Sequence, residues 1–245
     1  MPCNVLKVVL AAVIVMLPYR PTDANKTQCA LALVLAIDVS GSIEADEYAL
    51  QMLGLADALR SRDIVGAIES LGGGGIYATV LHWSGNGQQI QVLPWTQLAN
   101  QEALQVFAAK VERLPRTFDH YATAIGEALG FANRLFSKVP AQCARRVIDV
   151  SGDGRSNEGW SPHLIRDAVV LGGVTINGLA ILANDPKLKS YYREQIIGGS
   201  GAFVMSADRI EDYPDAIRRK LLREISPGPI AINEGFPTKS KRRIE

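Results

Sequence analysis

The sequence predicts an α/β fold, a doubly wound and mostly parallel six-stranded sheet with helices on both faces, and three observations carry that expectation. Residues 30–37 form an apolar run without polar alternation that stops at Asp38, the pattern of a strand buried on both faces. Strand-like and helix-like segments then alternate along the chain, as βαβ units do. One pair breaks the alternation: Ile76–Trp83 and residues 89–93 are joined by Ser84-Gly85-Asn86-Gly87, turn chemistry that makes them an antiparallel hairpin at one edge.

The elements follow in order. Tyr48, Met52, Leu55 and Leu59 recur at helical spacing. Ser42 is positioned as the N-cap of that helix, and Glu44, Asp46 and Glu47 suit the positive end of its dipole. Ile64, Val65, Ile68 and Leu71 mark a second helix. The glycines at 72–75 lead into a strand, and no Lys-Ser or Lys-Thr follows them. They form a helix-to-strand connection, not a phosphate loop. After the hairpin, Leu104, Phe107, Ala108, Val111 and Leu114 mark one helix and residues 124–135 another. A strand over residues 145–151 runs into Gly152-Asp153-Gly154. Then come a helix near 164–171, a strand over 174–181, a helix around 188–197, a strand over 202–205, and a last helix carrying Tyr213, Ile217, Leu221 and Ile225. No internal repeat appears, so residues 29–226 make one domain. Pro227, Gly228, Pro229 and Pro237 punctuate a tail, 227–245, without usable periodicity, which is expected to be disordered.

Lys7 precedes an apolar run over residues 8–17, too short to span a bilayer but suited to a signal-peptide core. Cleavage after Ala24 would export the chain to the periplasm or beyond, with no stable membrane insertion afterwards. It would also discard Cys3 and leave Cys29 and Cys143, an even pair in an oxidising compartment. The net charge is +1, with 47% hydrophobic and 21% charged residues, so the chain is globular and has no charge-based case for nucleic acid. The basic tail residues Lys239, Lys241, Arg242 and Arg243 read as a solvated terminus.

Ligands of open parallel sheets bind beyond the carboxyl ends of the strands, where Asp38 and Asp153 stand. Ser40 and Ser42 follow Asp38 at a spacing of two, so an extended turn can aim all three oxygens to one side. Carboxylates with hydroxyls make a hard oxygen site, suited to Mg²⁺ with Ca²⁺ or Mn²⁺ as competitors. No His or thiolate joins the set, which argues against Zn²⁺. His82, His120 and His163 lack metal-ligand spacing and are read as packing or surface residues. Asp149, about 13 Å from Asp153 along the strand, is expected to pair with a basic neighbour instead. Trp160 suits an exposed partner anchor and a side chain folded back on the domain equally well.

Asp38-Val39-Ser40-Gly41-Ser42 resembles the Asp-x-Ser-x-Ser element of von Willebrand factor type A domains. Thr123-Ala124-Ile125-Gly126-Glu127-Ala128-Leu129 fits the helix that brings their distant Thr, and Asp153-Gly154 fits their distant Asp. Residues 36–43 and 146–154 are similar to an exported bacterial family of unknown function built on that domain. The resemblance covers roughly residues 30–225 and implies strand order 3-2-1-4-5-6. It also implies a metal-ion-dependent adhesion site in which Ser40, Ser42 and Thr123 ligate directly, while Asp38 and Asp153 do so directly or through water. One position departs: Ala122 stands where such domains have Gly, and its Cβ restricts the loop before Thr123.

Because such domains place the first and fourth strands side by side, the nearly equal offsets of Cys29 from Asp38 and Cys143 from Asp153 imply a Cys29–Cys143 disulfide. The function implied is non-enzymatic protein binding, with an Asp or Glu carboxylate of a partner protein completing the Mg²⁺ site. Two alternatives stay open. One is a metal-dependent hydrolase, for which Asp38 lacks the second Asp two residues on and no base is placed. The other is a structural envelope component with a vestigial site.

Overall fold

The structure, a computed structural model, describes residues 28–72 and 74–226. The expected signal peptide and tail lie outside the described residues.

Six strands form one sheet in the order β3-β2-β1-β4-β5-β6, as expected. They are β1 (Gln28–Asp38), β2 (Ile76–Trp83), β3 (Gln89–Leu98), β4 (Gln142–Gly152), β5 (Thr175–Ile181) and β6 (Val204–Ala207). Only β2 and β3 pair antiparallel; the other neighbours run parallel. The helices are α1 (Ala45–Arg60), α2 (Arg62–Glu69), α3 (Gln101–Glu112), α4 (Ile125–Leu135), α5 (Pro162–Leu171), α6 (Leu188–Tyr191) and α7 (Tyr213–Ile225). A wider helical turn, Tyr192–Ile196, continues α6.

The apolar run of β1 divides between two cores. Leu31, Leu33, Leu35 and Ile37 face one, with residues of α1, α2, α3 and α7. Val34 and Ala36 face the other, with α4, α5 and Tyr192. Side chains alternate across a strand, so a strand covered on both faces needs apolar residues throughout, which is why this segment shows no alternation.

Several strand boundaries differ from expectation, β1 and β4 beginning earlier at Gln28 and Gln142. β3 continues to Leu98 through Pro94, which an edge strand tolerates because one side of its backbone needs no partner. β6 starts at Val204, two residues late, because the Phe203 N–H is drawn to Asn177 Oδ1 (3.1 Å).

The disulfide joins Cys29 to Cys143, which sit opposite one another where β1 and β4 begin. Asp149, in mid-strand, pairs with the buried Lys220 of α7 at 2.5 Å, and Lys220 also holds Glu224 Oε1 at 2.7 Å. The aspartate is therefore committed to the α7 face, as its position within a strand predicts.

Candidate metal centre

Parallel pairing of β1 and β4, with Ile37 opposite Ser151, brings the ends of both strands to one edge of the sheet. Asp38 and Asp153 meet there with Ser40, Ser42 and Thr123. The Ser42 hydroxyl donates to Asp153 Oδ1 at 2.7 Å and lies 3.3 Å from the Ser40 hydroxyl. Thr123 Oγ1 donates to Ser40 Oγ at 3.4 Å. The structure therefore brings together the five residues singled out in the sequence, Thr123, Ser40, Ser42 and Asp153 in one row of oxygens and Asp38 joined to it through the Ser40 N–H.

Ser42 does not cap α1. Glu44 occupies the cap, its N–H donating to Glu47 Oε2 at 2.9 Å, so the Ser42 hydroxyl remains for Asp153.

The loop after β1 is shaped by its own backbone: the Ser40 N–H donates to Asp38 Oδ1 at 2.8 Å. Arg116 donates to the carbonyls of Val39 (3.1 Å) and Ser40 (2.7 Å), and the Gly41 N–H donates to the Tyr121 carbonyl at 3.0 Å. Thr123 is clasped from the loop after β4. Its N–H donates to Asn157 Oδ1, while its carbonyl accepts from the Asn157 N–H, both at 2.9 Å, and from Ser156 Oγ at 3.2 Å. Ser156 Oγ also accepts from the Ile125 N–H at 3.1 Å, serving as the cap that Ala124 cannot supply. This clasp holds Thr123 in place despite the Cβ at Ala122.

Asp38 is completely buried and Asp153 nearly so. Asp38 Oδ2 has no hydrogen-bond partner among the described residues. Burial, and next the Asp153 charge, push the Asp38 carboxyl up to about 7, opposed by the hydrogen bonds from Ser40 and by Arg116. Burial also raises Asp153, partly offset by the Ser42 hydroxyl. Tyr192 is wholly buried, and its hydroxyl likewise lacks a partner. A Cβ on Gly152 would stand 2.6 Å from Asp38 Oδ2 and 2.8 Å from the Tyr192 hydroxyl. Gly152 thus leaves room for both polar groups at one point under the site. An unpaired buried carboxylate oxygen is costly, and a hard cation relieves that cost, so this donor set fits the ion proposed for it. No group of three or more His, Cys, Asp or Glu gathers as a metal site among the described residues. An ion here would have to draw on the hydroxyls as well as the two carboxylates.

Arg116, Asn157, Ser156, Gly152 and Tyr192 escaped the sequence reading. Gly152 alone carried a local signal, as a glycine directly before the aspartate. Trp160, in the loop after β4, is 68% exposed, which settles that it does not fold back.

The family described as "Protein of unknown function (DUF1194)" matches residues 28–229. This chain belongs to the DUF1194 family. Comparison with curated proteins gives no match. Among solved structures, crystal form 2 of proximal thread matrix protein 1 from the mussel byssus aligns with a TM-score of 0.60 at 18% identity, covering 82% of this chain and 48% of that one. Another structure of that protein, with a zinc-occupied MIDAS motif, gives 0.56 at 15% identity over 82% and 48%. A von Willebrand factor type A structure from Catenulispora acidiphila gives 0.55 at 16% identity over 80% and 43%. This DUF1194 chain spans about half the length of these matched chains. Its fold is that of a von Willebrand factor type A domain.

Proposed function

We propose that this DUF1194 domain is an exported, non-enzymatic binding module whose Mg²⁺ site captures a partner protein through an Asp or Glu carboxylate. The observation that carries the reading is the buried, unpartnered Oδ2 of Asp38 beside a row of three hydroxyls and a second carboxylate. Ser40, Ser42, Thr123, Asp38 and Asp153 would hold the ion, with Ca²⁺ or Mn²⁺ as competitors. When bound, the ion supplies a positive point that attracts a carboxylate from outside. The remaining residues keep the oxygens in place: Arg116 fixes the loop after β1, Asn157 and Ser156 fix Thr123, and Gly152 admits Asp38 to its buried position. The apolar segment over residues 8–17 and the disulfide support an oxidising, exported setting. The zinc-occupied motif in the mussel protein supports metal binding by this fold and makes Zn²⁺ an ion to include in the test.

The test is capture from the native envelope on immobilised protein in Mg²⁺, followed by EDTA elution. A partner eluted by EDTA, and not retained by Asp38→Ala or Asp153→Ala, supports the reading. Capture that persists in EDTA defeats it.

A further inference from the structure

At the opposite end of the sheet from Asp38, where β4 and β5 begin, lies a cavity of about 510 Å³. Its lining includes Arg145, Arg146, Arg223, Thr175, Phe203 and Glu224. Three arginines contribute to this lining, and like charges brought near one another repel unless something anionic separates them. Among the described residues none of the three forms an ion pair with a carboxylate, although the charge of Glu224 favours the charged form of Arg145.

Each of the three is instead oriented by a neutral partner. Arg145, half-buried, donates to the carbonyls of Glu224 (2.8 Å) and Ile225 (3.2 Å). Arg146 donates to the Gly172 carbonyl. Arg223 stacks on the Phe203 ring, 4.0 Å from its centroid. These contacts cost some donors but no charge, and each guanidinium has five N–H groups. Glu224 is the acidic residue in the lining, and its Oε1 is already shared by Lys220 at 2.7 Å and Asn177 at 2.8 Å. One carboxylate with those commitments cannot neutralise three arginines.

We propose that this cavity is a second binding site, for a small molecule carrying carboxylate or phosphate groups. The planar guanidinium fork matches both kinds of oxyanion. The volume is that of a small-molecule site, not of a macromolecular surface. Its position at the starts of β4 and β5 separates it from the candidate metal centre, so the two should load independently.

The test titrates the full mature chain with citrate and, separately, with pyrophosphate, and follows backbone amide resonances. EDTA is present throughout, because both probes chelate divalent ions. The proposal expects saturable shifts at Thr175, Ser200 and Gly201, and about tenfold weaker binding in Arg146→Gln and in Arg223→Gln. Both arginines are exposed, so neither change should unfold the protein, and Asp153→Ala should bind the probes as wild type does. Preference for citrate or for pyrophosphate identifies the carboxylate or phosphate source. Absence of saturation up to roughly 10 mM, or equal binding by the Arg146→Gln/Arg223→Gln double variant, overturns the proposal.

Discussion

Ser42 Oγ donates a 2.7 Å hydrogen bond to Oδ1 of Asp153, a residue 111 positions later in the chain. That bond joins the loop after β1 to the end of β4 and closes the row of oxygens. Its consequence for stability is direct. A ligand that binds only the folded protein stabilises it by about 2.7 kcal/mol at a hundred times its Kd. For a domain of this size Mg²⁺ should then raise Tm by about 5–10 °C. Asp153→Ala should abolish the rise, and thermal melts with and without Mg²⁺ measure it. An unchanged Mg²⁺ response in that variant would remove Asp153 from the site.

Asn157 touches Thr123 at two points and takes no place in the row of oxygens itself. Outer partners of metal ligands typically contribute ten- to a hundredfold in affinity. Asn157→Ala should therefore weaken Mg²⁺ binding by about tenfold or more, while the far-ultraviolet spectrum stays unchanged. Calorimetric titration reads the affinity, and wild-type binding in the variant would show that the clasp is idle.

This division between contact and support explains how much of the site was legible. Asp38, Ser40 and Ser42 lie within five residues, and Asp153 and Thr123 each open a recognisable local pattern, so their chemistry shows in one dimension. Asn157, Arg116 and Tyr192 reach the site only through the fold, and nothing around them in the chain marks them. The strands were legible where both faces are covered, because unbroken apolar runs result. The ends of the edge strand β3 and of the short β6 were not, since they depend on single contacts such as Asn177 with the Phe203 N–H. Ser42 shows a third case: its residue type suited two roles, and only the position of Asp153 decides between them.

His82 is completely buried between Tyr48 and Thr117, its ring nitrogens 3.4 and 3.2 Å from their hydroxyls. Burial pushes its imidazole from an ordinary 6.5 down to about 4. The unfolded chain therefore binds a proton in this window that the folded chain refuses. The contribution of neutral His82 is present in full above pH 6.5 and is lost as pH falls from there toward 4, with a slope of up to about 1.4 kcal/mol per pH unit. Denaturant unfolding across that range should show a shallower acid loss in His82→Gln than in wild type. The difference between the two proteins isolates the histidine from carboxylates such as Asp38, whose raised values act with the opposite sign. Parallel curves for the two would contradict the assignment.

The Cys29–Cys143 bond closes a loop with a sequence separation of 114, for which the chain-entropy account gives up to about 5 kcal/mol. The Cys29→Ser/Cys143→Ser variant should melt on the order of 10 °C lower. It should keep its Mg²⁺ response, because the bond sits where β1 and β4 begin and the candidate metal centre where they end. Loss of the response in a folded variant would mean that the two ends are coupled.

Gly152 offers a way to sort the relatives of this chain. The space a methyl group would need is taken by Asp38 Oδ2 and the Tyr192 hydroxyl, and forcing such a group into a packed site costs about 1–3 kcal/mol. Gly152→Ala should accordingly lower both Tm and Mg²⁺ affinity, and adding Tyr192→Phe, which removes one of the two obstructing oxygens, should recover part of the loss. A relative with a larger residue at this place and an unaltered tyrosine would be one that has kept the architecture and given up the ion. A single position behind the five candidate ligands would then divide working sites from relics, in sequences where all five still read correctly.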